Sequence, residues 1–323
     1  MTITTCPPVL NPRLAWKKND WSPSDYTVDL SPAAVEEIRE FMKTEGDKYD
    51  HRTCGADSFH DKTIALLACR SEIEEIESRF LKSGPGFVVI NALSPDDFSL
   101  AQLKVVMACV CGNFGNGLVA QDTHGEVVKE VADRGLPFDP ASSKYSDSNR
   151  GGNYHTDGTE LPIPIRYFPL YCVRPAARGG VSKLVSSYTI HNRLQDDDLN
   201  SLQRLYRPFY WDRRSRVGPN GERTIEKPVF EYDKDLKCRY QRLFIELGYK
   251  LANQSVEQDV SRALDAMDRH LYDDALAMDI PLRAGQVLVC NNSFTLHGRS
   301  EFQDAPGQPR LYLRGWVADT IAA

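Results

Sequence analysis

His155 and Asp157, two positions apart in Tyr154-His155-Thr156-Asp157-Gly158, and His297, in Leu296-His297-Gly298-Arg299, are the residues of this chain best suited to hold a metal ion. On an extended strand, residues i and i+2 project to the same side, roughly 6–7 Å apart along the chain, so His155 and Asp157 can reach one cation. A third ligand has to come from a distant segment. Two imidazoles and one carboxylate on one face of a cation leave its remaining positions open, the usual protein environment of mononuclear non-haem Fe(II) that activates oxygen. Zinc favours four-coordinate surroundings with nitrogen and sulfur donors.

Spacing alone is a weak signal. With 7 His and 45 acidic residues among 323, a histidine followed two places later by Asp or Glu arises by chance roughly once. The chain holds a second such pair, His124-Gly125-Glu126. After His155 a Pro-rich loop, Leu161-Pro162-Ile163-Pro164, leads into the aromatic and β-branched run Tyr167 to Val173, which predicts a strand. Gly179-Gly180 then precedes another run, Val181 to Val185. Nothing comparable follows His124, which reads as a surface or loop residue.

The C-terminal part adds a separate constraint. Val287 to Cys290 predicts a short buried strand, Asn291-Asn292 a polar break before His297, and the segment 310–317 alternates. One side carries Arg310, Tyr312, Arg314 and Trp316; the other carries Leu311, Leu313, Gly315 and Val317. If the arginine side is buried, each guanidinium needs an anionic partner, because an uncompensated interior charge costs several kcal/mol. The planar fork of arginine suits a carboxylate, to which it donates two parallel hydrogen bonds. A dicarboxylate co-substrate would supply such a partner; an edge strand with a solvated arginine face is the bland alternative.

Taken together, His155-Thr156-Asp157-Gly158, Gly179-Gly180-Val181-Ser182, Asn292 through His297-Gly298-Arg299, and Arg310 to Trp316 resemble the Fe(II)- and 2-oxoglutarate-dependent dioxygenases of the taurine dioxygenase and clavaminate synthase-like group. The likeness runs from about Gly86 to Val317. It implies a mainly β fold with flanking helices, a double-stranded β-helix (jelly-roll) core interrupted by an α-rich insertion at about 188–280. The whole of 1–323 is expected to act as one dioxygenase domain, with residues 1–83 as an N-terminal helical flank and 84–323 as the core.

By position, the resemblance makes His155, Asp157 and His297 the iron ligands. Arg310, thirteen residues after the distal histidine, corresponds to the arginine that clamps the far carboxylate of 2-oxoglutarate. Ser182 falls where relatives carry a threonine on the same carboxylate, and serine keeps the hydroxyl. Arg314 occupies a position that in some relatives touches the primary substrate. Further candidates for the substrate pocket are Trp316, Tyr154, Thr159, Glu160, Phe294 and Arg242. The loop Gly158 to Ile165 is placed to close over the site.

The implied reaction uses Fe(II), 2-oxoglutarate and O2. Oxidative decarboxylation releases succinate and CO2 and is coupled to oxidation of an unactivated C–H bond, normally a hydroxylation. The expected substrate is a small molecule such as an amino acid, another carboxylate or a biosynthetic intermediate. Members that halogenate replace the carboxylate ligand by a small residue, so Asp157 argues against that outcome. Desaturation or ring formation by the same oxidation remains open, as do two other classes, a zinc-dependent hydrolase and a silent small-molecule-binding protein on the same fold.

Global properties fit this picture. A net charge of −6 and a pI near 5.7 argue against nucleic acid or anionic membrane as a main partner. The first ten residues lack a basic start and an apolar core, so no secretory leader is expected, and the apolar runs are too short to span a bilayer. The expected location is cytoplasmic, with the cysteines at 6, 54, 69, 109, 111, 172, 238 and 290 reduced.

Periodicity places helices after Ser31-Pro32 (Val35, Ile38, Phe41), around Ile73, Ile76 and Phe80, and after Ser94-Pro95 (Leu100, Leu103, Met107, Val110). Within the insertion it predicts a helix with Leu199, Leu202 and Leu205, a charged loop from Trp211 to Lys227, a hairpin-like stretch from Val229 to Leu247, and a helix with Val256 to Leu271. The cluster Arg213-Arg214-Ser215-Arg216 reads as a solvated loop. His51, His60, His191 and His270 are expected in surface or helix roles.

Overall fold

The computed structural model of the protein describes residues 11–46, 66–115, 117–122, 124–136, 145–162, 164–214 and 216–318. Two sheets face each other. The larger orders its strands Thr27–Asp29, Phe87–Asn91, Gln286–Asn291, Ile165–Arg174, Leu311–Gly315 and Val128–Val131, with Val317–Ala318 also on Ile165–Arg174. The smaller orders Met278–Ile280, Ser182–Ser186, Thr295–Arg299 and Gly152–His155. Except for the parallel pair Thr27–Asp29 with Phe87–Asn91, the pairings are antiparallel. This is the expected jelly-roll core.

Alternation within single strands explains why the large sheet is apolar on both faces. Phe87, Val89, Leu288, Cys290, Phe168, Tyr312 and Trp316 point between the sheets, where they meet Leu184, Met278 and Ile280. Their neighbours Val88, Ile90, Val287, Val289, Tyr171 and Leu313 point outward into a layer of helices, Pro32–Thr44, Leu67–Ile76 and Leu100–Cys111. A strand buried on both faces reads as a continuous apolar run, as Phe87-Val88-Val89-Ile90 does. Among the described residues no helix is long and apolar enough to cross a membrane.

A second core belongs to the segment between the blocks that carry His155 and His297. Helices Ser187–Asp197, Leu199–Leu205, Arg242–Leu251 and Gln258–Leu271 enclose Leu194, Leu202, Leu205, Trp211, Ile245, Leu264 and Met267. Trp211 to Lys227 is no simple loop: Phe209–Asp212 and Thr224–Lys227 form a hairpin with Trp211 fully buried. The stretch after Val229 is a short hairpin, Phe230–Tyr232 with Leu236–Cys238, followed directly by helix.

Other expectations need local correction. Ser94-Pro95 starts only the 3-10 turn Pro95–Asp97; Phe98 is extended, and Ser99 caps the helix through a capping box with Gln102, leaving Leu100 at the surface. Leu199 and Val256 are likewise exposed. His191 and His270 sit on helices but are buried, not superficial. Cys69, Cys111, Cys172, Cys238 and Cys290 are free and buried. His51, His60, Cys6, Cys54 and the Cys109 side chain lie outside the described residues.

Candidate metal centre and its pocket

Strands Gly152–His155 and Thr295–Arg299 pair with His155 directly opposite His297. Sheet register thus joins segments far apart in sequence, and Asp157 follows where the first strand ends. One donor atom each from His155, Asp157 and His297 lie within 4.8 Å of one another, close enough to share a cation. His155 Nδ1 stands 2.8 Å from the Asn153 carbonyl oxygen, which leaves Nε2 facing Asp157 Oδ1 at 3.6 Å. His297 Nε2 is 3.9 Å from Asp157 Oδ2, and Phe168 stacks on the His297 ring with centroids 3.8 Å apart.

The backbone of the carboxylate is fixed from two sides. Asp157 N donates to Asn292 Oδ1 at 2.8 Å, while Asn292 Nδ2 donates to the carbonyls of Asp157 at 3.0 Å and Ile165 at 2.9 Å. Thr156 N donates to the Tyr240 carbonyl at 2.9 Å, and Tyr240 N donates back to Thr156 Oγ1 at 3.0 Å. The following turn is clamped as well: Arg239 Nη1 donates to the carbonyls of Thr159 at 2.6 Å and Leu161 at 3.0 Å.

Electrostatics favour a metal at this spot. Burial works to raise the Asp157 carboxyl, but Arg314, then His155 and His297, override it and hold that group well below the usual carboxylate range. Burial and the adjacent His155 keep His297 far below its usual value, so its lone pair is available. Among the described residues Asp157 Oδ2 is buried with no hydrogen-bond partner. An ionised oxygen left without a partner inside a protein is expensive, and a cation would satisfy it.

Arg310 fits a second ligand in the same way. It is 2% exposed, lies 3.8 Å over the Tyr312 ring, and has Nε and Nη1 buried without acceptors among the described residues. Burial lowers its pKa, as expected for a cation awaiting an anion. Gly180, at φ 67°, admits it: a Cβ there would stand 3.2 Å from Arg310 Nε. Ser182, 5% exposed, lines the same cavity.

That cavity, about 220 Å³, has the scale of a metabolite rather than a polymer. Its walls include Thr159, Glu160, Arg314 and Trp316, as expected from sequence. Burial, and secondarily Asp157, raises the Glu160 carboxyl. Arg314 donates to Asp157 Oδ1 and to Gln121 Oε1, both at 3.0 Å.

Three sequence candidates lie elsewhere. Tyr154 precedes His155 on its strand and therefore points to the opposite face, into the second core beside Tyr272. Phe294 packs in that core against Tyr188. Arg242 is spent on ion pairs with Glu246, Asp265 and Asp268, each at 2.8 Å.

Other wall residues escaped the sequence reading. Gln121, Lys129, Phe168 and Arg150 line the cavity, and so do Arg214 and Arg216 from the cluster expected to be solvated. Arg299 carries Nη2 to the carbonyls of Tyr145, Ser148 and Arg150, tying the wall segment 145–150 to the ligand strand. The one sequence signal was arginine density at 213–216; its direction was not legible.

Comparison with known proteins identifies a family and a fold. The family described as taurine catabolism dioxygenase TauD, TfdA family matches residues 31–316. A uridine-5'-phosphate dioxygenase of Streptomyces sp is 35% identical over 164 residues, which cover 50% of this chain and only 59% of that relative. A taurine hydroxylase-like protein of Stachybotrys chartarum is 23% identical over 310 residues, 92% of this chain and 76% of that protein. The solved structure of asparagine oxygenase in complex with Fe(II), 2S,3S-3-hydroxyasparagine and succinate superposes with a TM-score of 0.66 at 18% identity, covering 91% of this chain and 94% of the other. The non-heme iron oxygenase OrfP, in complex with Fe and alpha-ketoglutaric acid, gives 0.66 at 17% identity with the same coverages, 91% and 94%. At such identities the structural matches speak for the fold.

Proposed function

Because this chain belongs to the TauD, TfdA dioxygenase family, we propose that it catalyses the Fe(II)- and 2-oxoglutarate-dependent hydroxylation of a C–H bond in a small molecule. The observation that carries the reading is the convergence of His155, Asp157 and His297 beside a buried guanidinium, Arg310, that has donors to spare.

His155, Asp157 and His297 would hold the iron, and Arg310 with Ser182 the distal carboxylate of 2-oxoglutarate. When bound, these groups supply oxygen activation and oxidative decarboxylation to succinate and CO2. The chain supplies position and surroundings. Asn292 and Tyr240 fix the Asp157 backbone, Phe168 sets the tilt of His297, and Asn153 sets the tautomer of His155. Arg310, itself buried, would orient the co-substrate by donating to its distal carboxylate. Trp316, Thr159 and Glu160 face the remaining space, where the carbon to be oxidised would be placed.

The primary substrate is a small molecule. The relatives' names support beginning a screen with uridine 5'-phosphate, followed by taurine and the amino acids. Both halves of the metal site flank residues 188–280, so we treat 1–323 as one dioxygenase domain, and the free buried cysteines are compatible with a cytoplasmic location.

Anaerobic titration of the chain with Fe(II) and 2-oxoglutarate tests the reading. A visible metal-to-ligand charge-transfer band is expected in the wild type and not in His297→Ala. Failure to form the band, or no succinate release with any compound of the screen under air, overturns it.

A further inference from the structure

Beyond the strand Phe209–Asp212 of the hairpin with Thr224–Lys227, Arg214 and Arg216 stand on the wall of the cavity that holds His155 and Asp157. Both are held by defined contacts. Arg214 has φ 57°, a conformation that a residue with a side chain seldom adopts unless its surroundings impose it, and such outliers gather at ligand sites. Its N–H donates to Asp212 Oδ1 at 2.7 Å, and its guanidinium lies 4.8 Å over the Phe244 ring. Arg213 Nε donates to the Arg216 carbonyl at 2.9 Å, and Arg216 Nη2 donates to the Ala120 carbonyl at 3.2 Å.

Charge on this wall is one-sided. Lys129 and Arg150 join the two arginines, against Asp122, Glu160 and the proposed ligand Asp157. Asp157 is already engaged by Arg314, and Asp122 stands 3.8 Å from Lys129. Arg214 is paired with Asp212 at 3.3 Å, and the charged side chains that line the cavity are formally more cationic than anionic. A surplus inside a concave wall focuses the field on an anion. The indole Nε1 of Trp316, on the same cavity, is buried without an acceptor among the described residues.

These groups stand apart from the co-substrate clamp. Arg310 and Arg299 flank Phe302, whereas Arg214 and Arg216 are set among Phe244, Ala120 and the Glu160 carboxyl, which feels Arg216. One bidentate guanidinium matches the single charge of a carboxylate. Two arginines with a lysine nearby match a group of higher charge and more acceptor oxygens, and a phosphomonoester carries about −1.5 to −2 charge on three such oxygens at neutral pH.

We propose that Arg214 and Arg216 form a subsite for a phosphate-type dianion borne by the primary substrate. This rests on the reading that the cavity receives that substrate beside the metal.

The test uses the full chain loaded with Fe(II) and 2-oxoglutarate under nitrogen, the charge-transfer band reporting that the clamp at Arg310 is filled. Phenyl phosphate, inorganic phosphate and benzoate are then titrated calorimetrically. Phenyl phosphate is expected to bind at least tenfold tighter than benzoate, and more weakly as salt is raised. Arg214→Gln and Arg216→Gln are each expected to weaken it tenfold or more while 2-oxoglutarate still produces the band with unchanged affinity; Arg214→Lys should fall between.

Equal affinity for phosphate and carboxylate, indifference to both substitutions, or displacement of phenyl phosphate by 2-oxoglutarate would overturn the subsite. Loss of the band in the wild type would instead count against the dioxygenase reading, and phenyl phosphate binding to the metal-free chain would then decide the subsite by itself.

Discussion

Arg314 reaches across the cavity to donate to Asp157 Oδ1 at 3.0 Å, so the carboxylate best placed to bind metal already carries a counter-ion. Removing that counter-ion strands a buried charge, at a cost of about 3–5 kcal/mol. Arg314→Ala is therefore expected to lower the stability of the metal-free protein by that order. A divalent cation would take over the compensation, so added Mn(II) should raise Tm more in the variant than in the wild type. Equal shifts by calorimetry would contradict the role assigned to this pair.

The unpaired donors of Arg310 predict the behaviour of the co-substrate. Arg310→Ala should weaken 2-oxoglutarate by about 100-fold or more, since a charge-assisted bidentate pair is among the stronger polar contacts, whereas Arg310→Lys should retain part of the affinity. Anaerobic titration of the charge-transfer band measures both.

Asn292 touches neither iron nor substrate in the proposed arrangement, yet its amide grips the backbone of Asp157 at both N–H and carbonyl. Groups that orient a metal ligand are commonly worth about 10–100-fold in metal affinity. Asn292→Ala should lose metal affinity in that range, and Asn292→Asp, which turns a charged oxygen toward the carbonyls of Asp157 and Ile165, should lose at least as much. Competition with a chelator reads the difference.

His191 supplies a pH dependence away from the site. Burial lowers its pKa to about 4, against about 6.5 in an unfolded chain. The unfolded state therefore binds the proton first as pH falls, so the stabilisation is complete above pH 6.5 and is lost progressively down to pH 4, by up to about 3 kcal/mol. The drop in denaturation free energy over that window should be smaller in His191→Gln; an unchanged slope would remove His191 as its source.

Legibility of the site in sequence followed strand geometry closely. The pairs His155/Asp157 and Arg310/Arg314 stood out because a two-residue period puts hydrophilic groups on a face that the neighbouring residues mark as interior. The same rule, applied to Tyr154, would have excluded it, since a position adjacent to a ligand belongs to the other face. Arg214 and Arg216 were not legible as wall residues, because their direction depends on a contact with Ala120 formed across 96 positions. Arg242 failed for a similar reason: Asp265 and Asp268, the acids that occupy it, come from another helix.

The hairpin bearing Arg214 and Arg216 is rooted through Phe209 and Trp211 in the core of the segment between the ligand blocks, not in the space between the two sheets. The same core also takes in Tyr154 and Leu296, the strand neighbours of His155 and His297, so the proposed subsite and the strands that carry the histidines share one packed body of side chains. Directed evolution of the preferred molecule would therefore do well to vary Arg214 and Arg216 while leaving Phe209 and Trp211 beneath them untouched.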